Sequence, residues 1–188
     1  MPKLDLRAYV QQRKKEGVFE KIDPKDFDTS GFILFPCSDG YRGRFFEATD
    51  HLRKLTGINK IQPVVWAGGL LEIARYPSSL DLLRRNIDIA IENGFDTALC
   101  HPHGPCKFAR DHDMDIHEVE LHTLNAVNIL RKHVYGGKDL QHTGKTVRVV
   151  TAFHADYEDD VMETYKVNVD HPLFASKLRS YAPDLIKV

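Results

Sequence analysis

Hydrophobic positions along the chain fall into two alternating patterns. Short apolar-rich stretches, Phe32 to Phe35, Ile61 to Trp66, Phe95 to Cys100 and Thr146 to Phe153, read as strands of the buried parallel kind. Between them, apolar residues recur at three- and four-residue spacing and predict helices. The first carries Leu4, Leu6, Tyr9 and Val10 and stops at Gly17. The second runs from Arg44 to Leu55 and closes at Gly57. The third has Leu80, Leu83, Ile87, Ala90 and Ile91 on one face, Ser78-Ser79 as its cap and Asn93-Gly94 as its stop. The fourth, Asp113 to Val134, carries Ile116, Val119, Thr123, Ala126, Val127 and Leu130. Asp23-Pro24-Lys25-Asp26 reads as a turn, and the tail from Val161 to Val188 is mixed, with no clear period.

Strands alternating with helices predict an α/β fold: a mainly parallel open sheet of about four strands flanked by helices. With 188 residues and no repeat, low-complexity tract or linker, the chain reads as one domain over 1–188, with 1–22 as an N-terminal helical arm. A 42% hydrophobic, 28% charged composition suits a soluble globular protein. The formal net charge of −1 gives no electrostatic draw to nucleic acid or an anionic membrane, so neither is expected as a partner. No apolar run approaches the roughly 20 residues of a bilayer span. The polar start lacks the apolar segment of a secretory signal, which makes a cytoplasmic location the expectation.

The chemistry concentrates in Thr97-Ala98-Leu99-Cys100-His101-Pro102-His103-Gly104-Pro105-Cys106, where an apolar run ends in a knot of histidine, proline and cysteine. Thiolate and imidazole are preferred zinc ligands, and His103-x-x-Cys106 can place one of each on a single stiff turn. Cys37 ends another apolar run. Three cysteines suggest free thiols rather than a disulfide framework. Both segments follow strands, and ligands of open α/β sheets sit beyond the carboxyl ends of strands. Cys100 reads as a packed core thiol. His101 is the rival imidazole to His103. Within Arg110-Asp111-His112-Asp113-Met114-Asp115-Ile116-His117 the acids suit a helix start, and a second metal site is the competing reading. Gly68-Gly69 lacks the pattern of a phosphate cradle.

From Phe32 to Phe153 the chain resembles the β-class carbonic anhydrases. That family runs from an apolar strand into Cys-x-Asp-x-Arg, then an Arg-Asn-Ala-Gly-like segment, a helix, a strand and His-x-x-Cys. The matching segments here are Cys37-Ser38-Asp39, Val65-Trp66-Ala67-Gly68-Gly69, and Asn86 to Gly94 leading to His103-Gly104-Pro105-Cys106. The resemblance implies one Zn2+ held by Cys37, His103 and Cys106. It further implies hydration of carbon dioxide to bicarbonate by a zinc-bound hydroxide, Asp39 as the carboxylate that orients the water, and a homodimer or higher homo-oligomer. The family's arginine position holds Tyr41, and Arg42 stands one place late, so Arg42 takes the clamping role only if the loop bulges at Gly40. Lys107 stands where the family usually has glycine. Two alternatives follow: a non-catalytic zinc protein with Asp39 capping the metal, or a hydrolase of carbonyl sulfide or carbon disulfide.

Overall fold

Four parallel strands form the centre of the molecule. The computed structural model describes residues 5–27, 29–37, 44–65, 69, 71, 80–135, 147–157, 159 and 161–174. The strands are β1 (Phe19–Lys21), β2 (Phe32–Pro36), β3 (Ile61–Pro63), β4 (Thr97–His101), β5 (His103–Gly104), β6 (Arg148–Asp156) and β7 (Met162–Val167). The helices are α1 (Leu6–Lys15), α2 (Arg44–Thr56), α3 (Leu80–Glu92), α4 (Lys107–Asp111) and α5 (Ile116–Tyr135), with a 3-10 turn at Pro24–Phe27. Strand order is β1-β7-β6-β4-β2-β3, and β5 continues the line of β4 beyond Pro102 to pair with β6. The β3-β2-β4-β6 block is parallel throughout.

The sheet is larger and more mixed than the expected four strands. The two-residue β5 makes a fifth, and β1 and β7, with β7 antiparallel to both β6 and β1, bring the total to seven. β1 and β7 escaped the hydrophobic pattern because they carry charge. Phe19-Glu20-Lys21 and Met162-Glu163-Thr164-Tyr165-Lys166-Val167 alternate or mix polar with apolar residues, as half-exposed antiparallel strands do. The central strands Phe32–Pro36 and Thr97–His101, by contrast, are buried at every position.

Side chains of β4 alternate between two cores, as the pleat requires. Ala98 and Cys100 join Ile33, Phe35, Ile87, Ala90, Ile91, Ala126, Val127 and Leu130 beneath α3 and α5. Leu99 joins Phe32, Leu34, Leu52 and Ala152 beneath α2. A third core gathers Tyr9, Val10, Phe19, Cys37, Cys106, Val119, Leu124 and Phe153 around α1, α4 and the start of α5. The helical part of the expected N-terminal arm thus rests on the chain's own core. Asp5 caps α1 by accepting from the Arg7 and Ala8 amides at 3.0 and 3.1 Å.

The connections set the position of the site. From β2 the chain passes through α2 to β3 on one side, whereas from β4 it passes through α4 and α5 to β6 on the other. The crevice beyond the carboxyl ends of β2 and β4 is therefore the topological switch point, where open α/β sheets bind their ligands.

Candidate metal centre

Cys37 follows the last residue of β2, and His103 and Cys106 follow β4 across the same crevice. β2 and β4 are in register from Phe32↔Thr97 to Pro36↔His101, so their ends lie side by side. Pro102 interrupts β4, β5 resumes at His103, and the Gly104–Pro105 peptide is cis. Cys106 then stands just before α4, its carbonyl accepting from the Arg110 amide. The turn is packed closely from outside. A Cβ on Gly104 would stand 3.1 Å from both Leu6 Cδ1 and Phe153 Cζ, so a larger residue there would push on α1 and β6.

The result is one cluster of three donor residues. The candidate ligand atoms of Cys37, His103 and Cys106 all lie within 4.8 Å of one another, and the two sulfurs are 3.9 Å apart. That spacing is far beyond a disulfide's roughly 2.05 Å. It matches the about 3.8 Å between two sulfurs that are each about 2.3 Å from one tetrahedral zinc. The donor set therefore fits zinc: two thiols and one imidazole, nearly buried, with room for one further ligand. Cys106 is drawn far below the ordinary thiol range, first by the hydrogen bond with Cys37 and then by His103, against the opposing effect of burial. Among the described residues no other group of three or more such side chains comes together.

Leu71, His101, Pro102 and Val119 complete the described lining of a pocket of about 10 Å³, the room of one water molecule or ion. His101, the rival imidazole, borders this pocket but is not one of the three clustered donors. It is 4% exposed, and burial pushes its imidazole down to about 3, with His103 and His51 adding to the shift. Cys100 points away into the core beneath α3 and α5, where burial raises its thiol to about 12. It is a packing residue, as its strand position suggests.

The acidic segment before α5 is a cap. Asp115 Oδ1 accepts from the His117 and Glu118 amides at 2.8 and 2.9 Å, and Glu118 Oε2 accepts from the Asp115 amide at 2.8 Å. His112 meets Phe108 edge to face, and His117 packs on Tyr9 beside Arg13. Asp39, Tyr41 and Arg42, expected beside the metal, lie outside the described residues, as do Ser38 and Gly40.

One residue of the site was missed in the sequence. Gly69 has φ +50°, and a Cβ there would stand 2.8 Å from the Pro36 carbonyl oxygen and 3.0 Å from the Cys37 amide nitrogen. It lets the chain pass directly over the backbone that carries Cys37. The available signal was the paired glycine following a strand, which marks close backbone approach as readily as a ligand loop. No protein-family model matches the chain, and no curated protein matches it. The chemistry of the site therefore rests on its own donor atoms and their placement.

Proposed function

We propose that the chain is a zinc-dependent lyase that hydrates carbon dioxide to bicarbonate, a divergent relative of the β-class carbonic anhydrases. The observation that carries this reading is the convergence of Cys37, Cys106 and His103 at the switch point, with sulfurs at zinc-site spacing. A zinc ion with three protein ligands supplies a Lewis acid that brings a water's pKa from about 15.7 towards 7. The chain's own residues do the rest. Cys37 and Cys106 contribute two thiolates and His103 a neutral imidazole. Leu71 and Val119 give the pocket an apolar wall suited to a small uncharged electrophile. In this reading Asp39 orients the attacking water and Arg42 restrains that carboxylate. The reading extends to a cytoplasmic homodimer or higher homo-oligomer.

The displaced arginine favours one competing reading, in which Asp39 caps the zinc and the centre is non-catalytic. Stopped-flow carbon dioxide hydration by the zinc-replete chain separates the two. The expected result is hydration well above buffer, rising with pH through about 7 and lost in Cys106→Ser. Zinc-replete protein with no hydration above buffer contradicts the lyase. Activity that appears only in Tyr41→Arg assigns the capped state.

A further inference from the structure

His101 is a buried group with unfinished chemistry. It is 4% exposed, lines the pocket of Cys37, His103 and Cys106, and its Nε2 is sealed from solvent with no hydrogen-bond partner. A buried imidazole nitrogen left without a partner is unfavourable, and folded chains retain one where a water, an ion or a ligand completes it. The ring does not reach the donor cluster that the two sulfurs and His103 form. The pleat puts His101 on the face of Leu99, under α2, while Cys100 points beneath α3 and α5.

The ring is also held. His154 on β6 packs against it with centroids 5.4 Å apart, and His154 Nδ1 is fixed at 2.9 Å by the Thr164 hydroxyl of β7. His51 of α2 also packs on His154, with centroids 5.9 Å apart. A residue kept on the pocket wall in this way, beside a space for one small ligand, has a definite candidate partner: whatever fills the coordination position that the three protein donors leave open.

We propose that His101 donates a hydrogen bond from Nε2–H to a small anion held at this centre, without itself binding the metal. The inference rests on the metal-centre reading of Cys37, His103 and Cys106. The ligand class is a compact monoanion with an accepting atom next to the metal, such as bicarbonate or azide. The donated bond selects it over a neutral molecule of the same size.

Cobalt(II) loaded in place of zinc reports both parts by visible and near-ultraviolet absorption, with azide as the probe. Wild type and His101→Phe are expected to take up one cobalt with the same thiolate-to-cobalt band. Azide binding in His101→Phe is expected to weaken about tenfold or more, the usual scale for losing a hydrogen bond to a charged partner. His101→Gln, which keeps an N–H donor, is expected to stay within about fivefold of wild type. His101→Ala reports the same loss if the phenylalanine is not tolerated. Unchanged azide affinity in the truncated variants overturns the proposal, as does an equal loss in His101→Gln. Loss of the cobalt band in folded His101→Phe overturns it by making His101 a ligand. Absence of the band in wild type itself contradicts the metal centre instead, so the two failures are distinct.

Discussion

Cys37 is placed by what lies behind it as much as by the strand before it. Gly69 presses on the Pro36–Cys37 backbone with no room for a Cβ, and its φ of +50° lies in the left-handed region. Gly69→Ala is therefore expected to lower stability by about 1–3 kcal/mol and to reduce zinc per chain, since relief of the clash displaces a ligand. Urea midpoints and metal analysis on one preparation check both effects. The first ligand tests the cluster more simply: Cys37→Ser is expected to weaken zinc retention by more than about 100-fold, because even losing an outer-shell partner costs about 10–100-fold. Competition with a chelator measures it. His101 adds a pH dependence. Its ordinary value of 6.5 falls to about 3 in the folded chain, chiefly through burial. Below 6.5 the unfolded chain takes up a proton there that the folded chain refuses. The stability is thus complete above 6.5 and is lost as pH falls towards 3, by at most about 1.4 kcal/mol per pH unit. Burial lowers His51 in the same sense. Metal-free protein is expected to show this acid slope in urea midpoints, and His101→Phe to flatten it.

At the scale of elements, α1 is locked to α5 by a buried charge cluster. Arg13, 2% exposed, donates from Nε to Glu120 Oε1 at 2.7 Å and reaches the second oxygen through its guanidinium. Tyr9 donates to the same Oε1 at 2.8 Å, and Glu16 accepts from Arg13 at 2.6 Å. The lock bears on the site because Leu6 of α1 packs on Gly104, between His103 and Cys106. Removing Glu120 leaves the buried Arg13 only the partly exposed Glu16 as an ion-pair partner, so Glu120→Leu is expected to cost about 3–5 kcal/mol, whereas adding Arg13→Met recovers much of it. Urea unfolding of the single and double variants measures the difference. An equal loss in both would mean that packing, and not charge pairing, holds α1.

For the molecule as a whole, what was legible followed the strength of the hydrophobic signal. Phe32–Pro36 and Thr97–His101 are buried on both faces and announce themselves as apolar runs. The helices from Arg44 and Leu80 emerge with their ends within a residue or two of the positions their spacing predicts. The fourth helix was read as beginning at Asp113, whereas the chain forms α4, turns at Asp113 with φ +54°, and starts α5 at Ile116 behind its Asp115 cap. β1 and β7 were missed because Glu20, Lys21, Glu163 and Lys166 dilute the pattern on strands whose pairing is decided by distant partners. The Cys37, His103 and Cys106 cluster was legible because residue type and strand ends pointed the same way. Gly69 and the unpartnered Nε2 of His101 were not, since each depends on which backbone or space comes near in three dimensions. The central claim is that two segments 66 residues apart, at Cys37 and His103, close on one metal ion. Zinc K-edge X-ray absorption on the purified full chain tests it most directly. The account predicts one zinc per chain with two sulfurs at about 2.3 Å and a nitrogen at about 2.0–2.1 Å. A shell without sulfur, or a chain that holds no zinc when supplied with it, would contradict it.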